Sequence, residues 1–177
     1  MEREAADVYR IVGAPDDLGL DGLRVPWLLT QSRLWSYERE LPAVVSHLSA
    51  AHTVYGFGVA SPNINHLTTA YPIAAPLEVT QLHINATLSR DDWKWIDGLP
   101  VTTIERTVAD LYAYGIDGDH LGRIIWDALR SGIAAHSLAG ALDRVSDGRG
   151  RSVLEASLRD CSAPLHLADA SDKMDLG

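Results

Sequence analysis

The sequence holds a single cysteine, Cys161. An intrachain disulfide needs a second one and the common structural zinc sites need several, so both are excluded. Lysine is almost as scarce. Lys94 and Lys173 are the only two, and arginine supplies the rest of the positive charge in a chain of net charge -9. Generic nucleic-acid binders carry a basic footprint, which this composition lacks, although a local basic face remains open. Between Leu41 and Leu77 there is no Asp, Glu, Lys or Arg. Pro42, Pro62, Pro72 and Pro76 interrupt that run and Asn, His and Ser recur along it, so it reads as buried α/β interior and not as a membrane span. The opening MEREAADVYR is acidic and polar, unlike a signal peptide, and the expectation is a cytoplasmic chain without a membrane partner. A G-x-G-x-x-G, a P-loop and a G-x-S-x-G are all missing, so nothing cradles phosphate or presents a serine nucleophile in a recognised setting.

What is present suffices for a core. Hydrophobic residues make up 46% of the 177 positions and charged residues 22%, which suits a folded domain. Alternation predicts a strand in ADVYRIVGAP, one with no hairpin partner, so it reads as the last strand of something upstream. Leu20, Leu23, Trp27, Leu28 and Leu34 recur at helical spacing, with Pro26 absorbed near the first turn. AVVSHLSAAHTVYGFG begins as a short strand and continues as a small-residue helix from Ser46 that ends at Gly56 or Gly58. NINHLTTAYP and PLEVTQLHIN alternate as strands, and Trp93 and Trp95 share a face if DDWKWIDGLPV is extended. Three helices follow. The first has the stripe Leu121, Ile124, Ile125, Ala128 and Leu129 between Asp119 and Gly132, the second is capped by Ser137, and the third uses Val153, Leu154 and Leu158. Trp27 and Trp126 read as core. The expected fold class is α+β: a small mixed β-sheet from the N-terminal and middle part, packed against a C-terminal run of α-helices.

PVTTIERTVADLYAYG, residues 100–115, is the densest group of functional side chains. Thr102-x-x-Glu105 fits a capping box, in which threonine accepts from the backbone three residues on and glutamate reaches back. Ile104, Val108, Leu111 and Tyr112 then form the apolar face. Arg106 and Asp110 fall on the other side as an exposed i,i+4 pair worth about 0.2–0.5 kcal/mol. Thr107 borders the core. Each polar group has a structural task, so this segment reads as a capped helix and gives no reason to expect catalysis.

LPVTTIERTVADL, followed by DALRSGIAAHSLAGALDRV and GRGRSVLEASL, resembles the C-terminal domain of the AbiEi antitoxin family of type IV toxin–antitoxin systems. Upstream, AVVSHLSAAHTVYGFG carries the pattern through Ser46, Ser49, Ala50, Ala51 and Gly56, and VYRIVGAP running into LRVPWLL is similar to the exit from that family's N-terminal domain. Thr102, Thr103, Glu105, Arg106, Thr107 and Asp110 are its most specific part. The resemblance implies a non-enzymatic antitoxin and transcriptional regulator without a cofactor. Its winged helix binds operator DNA, and it is paired functionally with a nucleotidyltransferase-type toxin, typically without a stable complex. Three segments are expected: 1–13 as the last strand of the winged helix, 14–160 as the AbiEi-like domain and 161–177 as a frayed tail. With the rest of the winged helix missing, impaired DNA binding is expected.

Other site readings carry less. Some longer relatives of this architecture add a restriction-type nuclease domain, whose metal site needs two carboxylates and a lysine. Pro15-Asp16 and Asp92-Trp93-Lys94 imitate its parts by chance. A metal-dependent nuclease-related protein and a protein-interaction module are the alternatives to the antitoxin. His47, His52, His66 and His83 could converge on a metal but show no strong ligand spacing, and the expectation is hydrogen-bonding histidines without a metal. In DGRGR, Arg149 and Arg151 could touch phosphate, with flanking glycines permitting close approach; a solvated loop is the plainer account.

Overall fold

The computed structural model describes residues 2–5, 8–10, 20–30, 43–58, 62–73, 79–85 and 87–161. Strands β1 (Glu2–Ala5) and β2 (Val8–Arg10) form an antiparallel hairpin, so the strand expected to stand alone has a partner just before it. Its backbone groups are paired locally, which removes the difficulty of an isolated strand. After α1 (Asp21–Thr30), a five-stranded sheet is built from β3 (Val44–Val45), β4 (Asn65–Thr69), β5 (Thr80–Ile84), β6 (Trp93–Ile96) and β7 (Leu99–Thr102), in the order β5-β4-β3-β7-β6. The β4–β5 and β3–β7 pairs are parallel; β3–β4 and β6–β7 are antiparallel. Helices α2 (Ile104–Tyr114), α3 (Gly118–Arg130), α4 (Ala135–Asp143) and α5 (Gly150–Asp160) complete an α+β fold with a mixed sheet followed by helices.

The period-two alternation of the strands sorts their side chains onto two faces. Val45, Leu67, Leu99 and Val101 share a core with Leu20, Leu23 and Trp27 of α1. Trp27 also donates its indole N–H to the Ala43 carbonyl at 2.9 Å, which fixes α1 against the start of β3. Among the expected apolar positions of α1, Leu28 is exposed, and Leu34 lies outside the described residues, as do Asp16 and everything past Cys161. A second core joins Val108 and Leu111 of α2 to Leu121, Ile124, Ile125 and Ala128 of α3, to Leu138 and Leu142 of α4, and to Leu154 of α5. Trp126 is half-buried and outside these cores.

Between β3 and β4 the chain makes a short π-helix, Ser49–Val54, with Tyr55 N–H donating to the Ala50 carbonyl at 3.0 Å, and closes at Gly56 with φ 70°. The helix starts differ from the sequence reading. Thr102 stays in the sheet opposite Trp93, so α2 starts one residue later: Thr103 is the cap, and its hydroxyl accepts from the Arg106 N–H at 3.2 Å. The expected Thr102–Glu105 capping box is therefore not the one that forms. Asp117, not Asp119, caps α3; Ser137 lies inside α4, whose cap position is Ala134.

Candidate functional site: a polar layer between sheet and helix

Six consecutive residues of α2, Arg106 to Leu111, are buried. One face supplies Val108 and Leu111 to the helical core. The other carries Arg106, Asp110 and Tyr114, spaced four apart and so aligned in one stripe. That stripe faces the polar side of the sheet, which corrects the expectation of an exposed ion pair. Arg106 is 7% exposed and lies between two buried carboxylates. Its Nε donates to Asp110 Oδ1 at 2.8 Å and its Nη1 to Asp92 Oδ2 at 2.9 Å. The same Asp92 oxygen accepts from the Ser89 N–H at 2.8 Å and the Ser89 hydroxyl at 2.9 Å, which closes a capping box on the 3₁₀ turn Arg90–Asp92. Asp110 Oδ2 has no hydrogen-bond partner among the described residues. Burial pushes the Asp110 carboxyl above its ordinary range; Arg106 opposes that shift.

Hydroxyls continue the layer toward β3. Thr102 Oγ1 lies 2.7 Å from Thr107 Oγ1 and donates to the Val45 carbonyl at 3.3 Å, while Thr107 donates to the Thr103 carbonyl at 2.8 Å. Glu105 is half-buried on α2.

At the far end of the layer three histidines meet. His47 follows β3, His66 lies in β4 and His83 in β5, where the parallel register sets Thr68 beside His83 and His66 beside Gln81. His66 Nδ1 and His83 Nε2 are 2.9 Å apart. The His47 ring stacks on His83 with centroids 3.7 Å apart, and Tyr114 packs edge-on against all three rings at 5.5–5.7 Å. One nitrogen from each ring lies within 4.8 Å of the others.

The surrounding groups hold the cluster in place. Ser46 Oγ sits 2.9 Å from His47 Nδ1 and accepts from Thr68 Oγ1 at 2.8 Å; Ser49 Oγ accepts the His66 backbone N–H at 2.9 Å. His47 occupies the left-handed region with φ 51°, a conformation that costs a residue with a Cβ about 1–3 kcal/mol. Burial, joined by the neighbouring imidazoles, pushes His47 down to about 3 and His66 down to about 4; burial also lowers His83. All three rings are neutral at pH 7, each with one N–H and one lone pair.

Of the four middle histidines, His52 alone stays out of this cluster, on the π-helix. The convergence depends on the pairing of β3, β4 and β5, which sequence spacing does not encode. The Asp92-x-Lys94 pair forms no joint site: Asp92 is engaged by Arg106 and Ser89, and Lys94 lies over the Tyr55 ring at 5.7 Å. Arg149 donates to the Ser146 carbonyl at 3.0 Å, and Arg151 pairs with Glu155 at 3.2 Å, both on the exposed start of α5. Of the signature residues, Thr102, Thr103, Arg106, Thr107, Asp110, Ser46 and Ser49 all belong to the polar layer or its flanks, and Gly56 turns the chain beside it. Comparison with protein-family models and with curated proteins returns no match for this chain.

Proposed function

We propose that the chain is an AbiEi-like antitoxin and transcriptional-regulator domain of a bacterial toxin–antitoxin system, acting without enzymatic chemistry in the cytoplasm. One observation supports the reading above others. The residues that carry the resemblance, separated by more than fifty positions, meet in the layer where β3, β4 and β7 face α2: Ser46 and Ser49 at the histidines, Thr102 and Thr107 at the centre, Arg106 and Asp110 at the other end. A signature whose members depend on one another in space is what a shared domain architecture requires, because changing one member leaves the others unpaired. The functional partner on this reading is a nucleotidyltransferase-type toxin, neutralised without a stable complex. Operator DNA is the second partner on this reading, bound through a winged helix as the resemblance implies, and the net charge of -9 gives the chain no general affinity for it.

Growth rescue tests the reading. The chain is co-expressed with a nucleotidyltransferase-type toxin of a type IV toxin–antitoxin system, and colony formation is compared with the toxin alone. Restored growth, with no toxin retained on the purified chain, is the expected result. Toxicity undiminished while the chain accumulates in soluble form would overturn it.

A further inference from the structure

We propose that His47, His66 and His83 form a binding site for one divalent first-row transition-metal ion, with zinc the best chemical match. The donors are three imidazole nitrogens from three strand-associated positions, already within 4.8 Å of one another. Two nitrogens bound to a tetrahedral zinc at about 2.0–2.1 Å lie about 3.3 Å apart. The His66–His83 contact of 2.9 Å opens slightly to reach that spacing, and the longest separation closes by rotation of the rings. Each neutral imidazole carries one lone pair that can bind a metal ion.

Two details favour a ligand set over a plain hydrogen-bonded cluster. When His47 Nδ1–H donates to Ser46 Oγ at 2.9 Å, its Nε2 keeps the lone pair, which is how an outer hydrogen bond fixes the tautomer of a metal-binding histidine. Ser46 is itself held by the Thr68 hydroxyl, so the donor ring is anchored through two groups. Second, His47 carries a left-handed backbone with φ 51°, and that strain delivers its ring to the other two. A hydrogen bond between His66 and His83 alone would not require it. Three nitrogen donors leave a fourth position open for water or for an oxygen ligand. Nitrogen donors without thiolate also suit cobalt, nickel and copper, so selectivity follows the affinity order of those ions.

The test uses the untagged full chain, stripped with a chelator and titrated with Co²⁺ under visible absorption, then with Zn²⁺ as competitor. Expected are ligand-field bands of a low-coordinate cobalt that saturate at one ion per chain and disappear on adding zinc. His83→Gln, in a half-buried strand position, and His66→Gln each weaken binding at least about tenfold, in line with loss of one of three donors. His52→Gln and His120→Gln bind as the unaltered chain does. Circular dichroism identifies which variants remain folded, and a folded His83→Gln alone suffices for the comparison. Absence of stoichiometric cobalt bands, or equal affinity in folded His83→Gln and the unaltered protein, would overturn the site.

Discussion

Arg106 makes two charge-assisted hydrogen bonds from a buried position, and the two carboxylates it joins are not equivalent. Asp92 Oδ2 takes three donors from Ser89 and Arg106, whereas Asp110 takes one at Oδ1 and leaves Oδ2 without a partner among the described residues. Arg144 adds little, since it is 61% exposed and 3.9 Å from Asp92. Removing one partner of a buried ion pair costs about 3–5 kcal/mol, because a charge is left uncompensated. Asp92→Ala is therefore predicted to destabilise the chain by about 3 kcal/mol or more, and Asp110→Ala by at least about 1 kcal/mol less, in urea unfolding. Equal losses in the two alanine variants would contradict the unequal roles assigned to these carboxylates.

The helices pack through glycine at two places. A Cβ on Gly122 of α3 would fall well inside contact with the Ser157 carbonyl oxygen of α5, and one on Gly150 would meet the Ala139 carbonyl oxygen of α4. Both obstacles are backbone, which cannot step aside as a flexible side chain can. Gly122→Ala and Gly150→Ala are predicted to cost at least about 2 kcal/mol each in urea unfolding. Gly140, inside α4 with nothing within 4 Å, has the opposite sign: Gly140→Ala gains up to about 1 kcal/mol of helix propensity. A destabilised Gly140→Ala would count against this account of the helix contacts.

Elements of this kind were legible where the signal is local. The alternation at residues 65–69 and 80–84 marked β4 and β5, the stripe from Leu121 to Ala128 marked α3, and the small residues after Ser46 marked the helical turn. The helix starts were less so. Thr102 and Thr103 are chemically alike, and only the pairing of β7 with β6 keeps Thr102 in the sheet. The second buried face of α2 was hidden for the same reason. Arg106 and Asp110 look like surface residues until the β6–β7 hairpin brings Asp92 to them from fourteen positions earlier. The candidate site needed more still, since its three histidines meet only through the pairing of three strands.

On the scale of the whole molecule, the polar layer lies beside two apolar cores that Tyr55 and the Ala50–Ala51 step of the π-helix connect. One joins the sheet to α1 and holds Trp27; the other joins the four C-terminal helices. Buried charge of this kind adds little net stability compared with an apolar replacement of both partners, but it punishes mispairing, so it fixes how the helices sit on the sheet. The central claim is that Arg106 is the hinge of that arrangement and that the TTIERTVAD segment serves the fold. It is tested most directly by urea unfolding of Arg106→Met beside the unaltered chain, followed both by tryptophan fluorescence, to which Trp27, Trp93 and Trp95 of the sheet half contribute, and by helical circular dichroism. The account predicts coincident transitions in the unaltered chain and a loss of about 3–5 kcal/mol in the variant, seen by both probes. An Arg106→Met chain that unfolds at the same urea concentration as the unaltered protein would contradict it.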